Sequence, residues 1–432
     1  MSLNTLPTIQ DVVDKHLCSG CGACSYAFPK QVQMVDTVDH ARRPKCVSEG
    51  SSLSRCVANT ICPSAANTSD FSEQSEGFSQ HAPADENWGN VIEVWEGYAS
   101  DKDVRFRGSS GGVVTALAIF GLEQKQLHGV LHVRGKQSAP LINETVLSRS
   151  RNDVLSGAGS RYSPASPCEE LSQIEEADGP CMFIGKPCDV AGATSARQLS
   201  SRLNKNLAIT VAIFCAGTPS IKGTLALAKH LGVDDPNQIT KVKYRGEGWP
   251  GLMEVEYKQA GSNGRGKKSV TYADGWGKIL QKHRQWRCNM CADHTGESAD
   301  ISVGDPWYRP VDKNDPGRSL ILVRTERGRR LIREAMSAGA IVAEPRDRSV
   351  VSQAQHHLLK AQASIWGRNL ASRSLGLSTP KLFATKRRWR VWLRELTGKE
   401  KIQSVLGCAK RIFSRKLLRP EAAEPFQMPS KP

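Results

Sequence analysis

Three cysteines, Cys18, Cys21 and Cys24 in CSGCGAC, are the residues of this chain whose type and spacing most directly imply chemistry. A cubane four-iron, four-sulfur cluster needs thiolates converging on its corners. A C-x2-C-x2-C run lets one loop wrap such a cluster, and Gly20 and Gly22 permit the tight turns that bring backbone amides close to sulfur. The bacterial ferredoxin pattern continues to a fourth Cys followed by Pro, but Phe28-Pro29 stands at that place. A remote Cys-Pro occurs at Cys62-Pro63, so Cys62 is the expected fourth ligand, with Cys56 the main competitor and Cys46 a weaker one. Zinc uses the same thiolates and also favours C-x2-C; the triple run is closer to ferredoxin loops than to zinc ribbons.

A second set consists of Cys188 in FIGKPCD, Cys215 in AIFCAG, and Cys288 with Cys291 in WRCNMCADHTGESADISVGD. Cys188 and Cys215 each follow a predicted buried strand, so both thiols would emerge at strand ends, where a C-x2-C pair could complete a four-thiolate shell. Taken singly, each is as readily a small buried hydrophobe. Cys168, Cys181 and Cys408 are expected to be structural.

The loops come next. RGSSGG carries Arg107, Ser109, Ser110, Gly111 and Gly112 straight into an apolar helical run. Backbone N–H groups at a helix start suit a phosphate, although the same loop serves equally as a plain helix cap and is neither a dinucleotide fingerprint nor a Walker loop. GAGSRYSP offers Ser160, Arg161 to offset phosphate charge and Tyr162 to cover an aromatic ring. GKPCD places Lys186 beside a candidate ligand, where a cation would hold an anionic ring or raise a cluster's potential. Arg161 and Lys186 are the catalytic candidates; Asp189, His283 and His294 lie close to the motifs without an assignable role. YRGEGWPG and YADGWGKI look like loops lining a broad aromatic ligand, or simply like surface turns.

These residues need a scaffold. At 432 residues the chain accommodates two or three domains with cores of their own. The start lacks a basic, apolar secretory signal, and no apolar stretch approaches the roughly 18 residues of a bilayer span, so a soluble cytoplasmic protein is expected. Thirteen cysteines in a reducing compartment then point to metal or redox chemistry rather than cross-links. The net charge of +16 is concentrated late: between Lys381 and Arg419 there are 13 Lys/Arg against Glu395 and Glu400. A mildly basic body does not support a nucleic-acid-binding core. The expected fold class is α+β or α/β: a small ferredoxin-like iron-sulfur segment (1–66), a polar linker (67–90), a mixed α/β cofactor-binding domain (91–347) and a basic helical extension with a disordered end (348–432). VIEVWEGYA, GVLHVRG, CMFIGKP and LAITVAIFC read as strands and GVVTALAIFGLEQK as a helix. KRRWRVWLREL reads as a partner-binding or solvated helix, with peripheral contact to an anionic membrane through Trp389, Trp392 and Leu393 as the alternative.

Taken in order, GSSGGVVTAL, GSRYSP, FIGKPCDVAGA, FCAG and CNMCADHTGESADISVGD resemble the coenzyme F420 hydrogenase/dehydrogenase beta-subunit family, across roughly Asp11 to Asp305. The reductase of 7-hydroxymethyl chlorophyll belongs to the same group. The resemblance implies FAD held by the glycine-rich loops, near Arg107, Ser109, Ser110, Gly111, Gly112, Ser160, Arg161 and Tyr162. It implies a proximal cluster on Cys188, Cys215, Cys288 and Cys291, and a ferredoxin-like segment that brings electrons from a donor such as ferredoxin. The chemistry implied is flavin-dependent oxidoreduction of an organic or deazaflavin substrate, or electron transfer within a larger complex. Members that use the deazaflavin often carry Lys in the GSKY segment, where this chain has Arg161.

Overall fold

The computed structural model describes residues 6–47, 52–65, 84–85, 87–259, 264–312, 315–380, 385–422 and 424–426. Residues 67–83 of the expected linker and the expected disordered end at 427–432 lie outside the described residues.

Helix α1 (Ile9–Asp14) opens on a capping box: Thr8 Oγ1 accepts from the Asp11 amide and the Asp11 carboxylate accepts from the Thr8 amide. The cysteine run leads into α2 (Ala23–Ala27), followed by the antiparallel pair β1 (Val32–Val35) and β2 (Arg43–Cys46). The body then runs through β3 (Glu93–Ala99), α3 (Val113–Glu123), β4 (Gly129–Gly135), β5 (Asn143–Ser148), β6 (Cys181–Gly185), α4 (Pro187–Ala196) and β7 (Leu207–Ile213). A separate antiparallel sheet of β8 (Ile239–Lys243), β9 (Leu252–Lys258) and β10 (Arg265–Thr271) interrupts it. The chain returns through α5 (Trp286–Asn289), β11 (Ile301–Gly304), β12 (Ser319–Val323), α6 (Glu326–Ser337) and β13 (Ile341–Pro345).

The large sheet has the order β13-β3-β12-β11-β7-β6-β4-β5. Its centre, β4, β6, β7 and β11, is parallel, and the outer pairings are antiparallel. Both faces of the parallel part are covered, which is why these strands read as nearly continuous apolar runs. Val130, Met182 and Val211 face the core under α3 and α6, while their neighbours Leu131, Phe183 and Ala212 face the opposite core under α4. Each such fully buried large side chain is worth roughly 1.5–3 kcal/mol. The strands expected from sequence fall on β3, β4, β6 and β7, and the expected helix on α3. YADGWGKI differs: Ala273–Ile279 is a π-helix rather than a loop. Two glycines hide its helical character, and Gly275 is required because a Cβ there would lie 2.3 Å from Met253 Sδ.

Beyond the sheet come α7 (Ser349–Ala354), α8 (His356–Ala363), α9 (Ile365–Ser374), α10 (Thr385–Glu395) and α11 (Gly398–Ser414). Ala371, Cys408, Ile412 and Leu417 share one apolar cluster with Ile9, Val12, Leu17 and Cys18, so the basic extension packs on the cysteine-bearing segment. Trp392 turns inward, its ring 4.7 Å from that of Trp366 and its Nε1 donating to Ser404 Oγ, which leaves only Trp389 and Leu393 exposed from the trio considered for membrane contact. Among the described residues no helix is long and apolar enough to cross a membrane.

Arg43, fully buried, pairs with Glu421, which is also within 3.4 Å of His16 and 3.7 Å of His40. Burial alone would raise the Glu421 carboxyl, but Arg43 and the two histidines bring it down to about 2. Removing one partner of a buried pair strands the other charge. Glu421→Ala is therefore expected to lower stability by about 3–5 kcal/mol at neutral pH, read as a lower thermal midpoint. Because the folded carboxyl titrates below its unfolded value, this contribution is complete above pH about 4.3 and lost as pH falls toward about 2. The difference between wild type and variant should shrink across that interval.

Candidate functional site

Cys18, Cys21, Cys24 and Cys62 line one small cavity with Ile9, Val12, Val13, Met34 and Pro44. The loop closes because Gly20 and Gly22 take φ of +76° and +88°, and a Cβ on Gly20 would lie 2.7 Å from the Arg42 carbonyl. Ser64 Oγ donates to the Leu17 carbonyl at 2.7 Å, pinning the Cys62 turn against the run. Cys56 does not line the cavity; its thiol donates to the Ser52 carbonyl, and Cys46 is exposed. Burial pushes the Cys62 thiol up to about 12 and Cys24 well above its ordinary value. Cys21 is lowered, chiefly through its side-chain interaction with Cys168.

The second set gathers at the ends of the parallel strands. Cys188 sits in the first turn of α4 after β6, Cys215 two residues beyond β7, and Cys288 and Cys291 at α5. The Gly217 N–H donates to Cys215 Sγ at 3.4 Å and the Thr218 N–H to Cys288 Sγ at 3.3 Å. Burial pushes Cys215 up to about 12 and Cys291 to about 11, with the neighbouring Cys288 adding to both. Lys186 Nζ pairs with Asp189 at 2.6 Å beside Cys188 and Cys215. The two sets adjoin: Cys188 feels the charge of Cys21, and Cys168, which no local pattern singles out, donates to the Asp189 carbonyl at 3.1 Å. Among the described residues no three Cys, His, Asp or Glu side chains meet closely enough to hold a single metal ion. His294 Nδ1–H donates to the Cys215 carbonyl at 2.8 Å, and burial holds the ring's pKa down to about 4, so it is neutral at pH 7.

A cleft of about 490 Å³ opens between Arg107, the end of β4 with the residues after it, the 155–161 segment, and β8 with the loop that follows it. Gly159 and Gly246 have φ of +98° and +100°, and a Cβ on Gly246 would lie 2.6 Å from the Arg107 carbonyl. The Ser160 N–H donates to Ser109 Oγ, joining two of the loops. Arg107, Arg134, Lys136, Lys241 and Lys243 give the wall a basic excess over Glu247, although Arg107, Arg134, Lys241 and Lys243 each pair with a carboxylate. Arg161 also lines it, but its guanidinium is bonded to Asn143 Oδ1 (2.8 Å), the Val242 carbonyl (2.6 Å) and the Pro140 carbonyl (3.3 Å). Ser110 and Gly111 turn into the sheet, where Gly111 N–H donates to Ser319 Oγ at 2.9 Å, and Gly112 begins α3. The structure thus brings Arg107, Ser160 and Arg161 to one cleft, with Ser109 bonded to Ser160, and places Lys186 with the second thiol set.

Beside the cleft, Arg245 forks onto Asp305 at 2.7 and 2.8 Å, and Trp249 Nε1 donates to the same carboxylate at 2.8 Å. Tyr272 stacks on Trp307 at 5.3 Å, with the Arg245 guanidinium 5.0 Å from the Tyr272 ring; Tyr162 lies 5.0 Å from Trp276 and 5.9 Å from Tyr244. The two aromatic-glycine segments therefore converge on Tyr162. Sequence reasoning missed the Arg245–Asp305 fork; its signal was the arginine inside YRGEGWPG and the aspartate closing ISVGD. The rest of that motif is structural: Asp300 accepts from Thr210 N–H and Oγ1 and from Thr325 Oγ1, locking β7 to β11.

Two family models match the chain. That for the N-terminal part of the coenzyme F420 hydrogenase/dehydrogenase beta subunit matches residues 94–172, and that for its C-terminal part matches residues 180–349. The coenzyme F420 hydrogenase subunit beta of Methanococcus voltae is 28% identical over 268 residues, 59% of this chain and 84% of that protein. The coenzyme F420-dependent sulfite reductase of Methanocaldococcus jannaschii is 23% identical over 326 residues, 74% of this chain and 46% of that protein. A chain of the F420-reducing [NiFe] hydrogenase complex from Methanosarcina barkeri covers 80% of this chain and 99% of its own length at 19% identity, with a TM-score of 0.48.

Gly246 and Gly248 share φ of +100°, but only Gly246 faces backbone within 4 Å. Gly246→Ala is expected to destabilise by roughly 1–3 kcal/mol more than the strain of Gly248→Ala alone, because the 107 and 246 loops must separate. Thermal denaturation of the two variants measures the difference.

Proposed function

Because the chain belongs to the coenzyme F420 hydrogenase/dehydrogenase beta-subunit family, we propose that it is an iron-sulfur flavoprotein oxidoreductase. In this reading it passes electrons between a one-electron donor such as ferredoxin, two four-iron, four-sulfur clusters, FAD, and an organic or deazaflavin substrate. One observation carries the proposal: four thiols ring a single cavity, and a second four-thiol set, bridged to it through Cys168, adjoins it. A thiol ring around a cavity fits a multi-atom cubane, which spreads its ligands, better than one tetrahedral zinc ion. The basic cleft has the size of a cofactor site and its charges suit a pyrophosphate.

Bound flavin would supply the exchange between paired and single electrons, and the clusters the single-electron steps. The residues of the chain prepare for both. Buried thiols with raised pKa values stay protonated until metal displaces the proton, so loading releases protons and is favoured at higher pH. The Gly217 and Thr218 amides and Lys186 surround sulfur with positive dipoles and charge, which eases reduction. Arg107, Lys136 and Lys241 would draw phosphate oxygens into the cleft, while Arg161 holds the cleft's shape through its carbonyl contacts. The domain roles follow: electron entry at 1–66, flavin and proximal cluster in 91–347, and a helical cap from 348. A second reading, an electron-transferring subunit with a separate catalytic partner, is favoured by the subunit names of relatives such as the Methanococcus voltae protein.

Anaerobic purification tests the proposal: about eight irons and about one flavin per chain are expected, and a colourless protein would end it. Cys62→Ser should reduce iron to about four per chain while Cys56→Ser leaves it unchanged. Reduction of an organic acceptor by the isolated chain separates the enzyme from the subunit reading.

A further inference from the structure

Several strongly buried cations among the described residues face a carboxylate: Arg43 has Glu421, Arg245 has Asp305, and Lys186 has Asp189. Arg284, Arg368 and Arg411 do not. Among the described residues none of the three forms an ion pair, although each is partly buried and they lie close enough to repel one another. Their placement is specific. Arg284 donates to the Ala216 carbonyl at 2.8 Å, the residue after Cys215, and its side chain crosses Gly217 beside Cys288. Arg368, on α9, donates to the Asn289 carbonyl at 2.7 Å, inside the Cys288–Cys291 loop. Gln362, on α8, donates to the Ala292 carbonyl at 3.0 Å, just beyond that loop. Burial and Arg411 hold the Arg368 guanidinium down to about 10.

Like charges gathered in a poorly solvated layer are unfavourable unless an anion faces them. Arg284 and Cys288 meet across Gly217, and the Ala216 carbonyl that Arg284 binds directly follows Cys215. As the ligands of a cluster, Cys288 and Cys215 belong to an anion that becomes more negative on reduction.

We propose that Arg284 and the arginines of the C-terminal helices, Arg368 foremost, form the counter-charge layer of the second cluster and raise its reduction potential. This rests on the reading of Cys188, Cys215, Cys288 and Cys291 as cluster ligands. Arg368 and Arg411 both lie beyond residue 349, where the match to the family ends, so this chain's own extension completes the site. They are positioning residues: they act on the cluster through charge and loop carbonyls.

The test is an EPR-monitored redox titration of the full-length, cluster-loaded protein. Arg368→Gln keeps a donor but removes the charge, and should lower one cluster's reduction equilibrium constant about tenfold, which is ~59 mV for a one-electron couple. The other cluster should not move. Arg368→Lys should stay near wild type, Arg284→Gln should shift the same signal in the same direction, and Lys399→Gln, exposed on the same extension, should change neither. No shift in Arg368→Gln and Arg284→Gln, or equal shifts in the Gln and Lys variants, would overturn the charge layer. Wild-type protein holding iron for fewer than two clusters would instead overturn the ligand reading on which it stands.

Discussion

The burial of thiols dominates this molecule. A thiol taken out of water resists ionisation, and eight candidate ligands here come from separated stretches of chain that fold to adjoining places. Nothing in apolar packing alone requires that convergence. The parallel centre of the sheet supplies it: β6 and β7 end side by side, so the residues just past them, Cys188 and Cys215, share one edge. The same edge receives Cys288 and Cys291 because Asp300 and its threonine partners lock β11 beside β7.

Charge follows the thiols. Deeply buried cations away from sulfur are met by a carboxylate, as at Arg245, or by carbonyl and hydroxyl oxygens, as at Arg324. Where cations approach the second thiol set, carboxylates are fewer and backbone carbonyls of the ligand loops take the donors. In the cleft most wall cations pair with carboxylates, and glycines admit close approach of its segments.

Much of this was legible in the residues. Buried parallel strands announce themselves as unbroken apolar runs, so β4, β6 and β7 could be read within two residues of their ends. The C-x2-C-x2-C run and the remote Cys-Pro identified four thiols that do line one cavity. What escaped was contact between remote segments. Neither Cys168 against Cys21 nor Arg43 against Glu421 leaves a local trace, because each partner alone is an ordinary residue in an ordinary sequence. RGSSGG misled in part for the opposite reason: its local pattern is that of a phosphate loop, yet Gly111 gives its N–H to Ser319 in a neighbouring strand. Local pattern cannot report a competing acceptor that lies 208 residues away.

The Arg43–Glu421 clamp also orders events in time. The first thiol loop leaves the ribosome well before its cover, because the carboxylate that neutralises the arginine behind it follows 378 residues later, close to the helix that packs on α1. Chains fold progressively from the N-terminus during synthesis, so the nascent loop spends that interval uncovered. Enclosure of Cys18, Cys21, Cys24 and Cys62, the ligands of the proposed cluster, would thereby wait on synthesis of the C-terminal helices, and a product terminated ahead of them would retain the four thiols but lack the helices that pack over them.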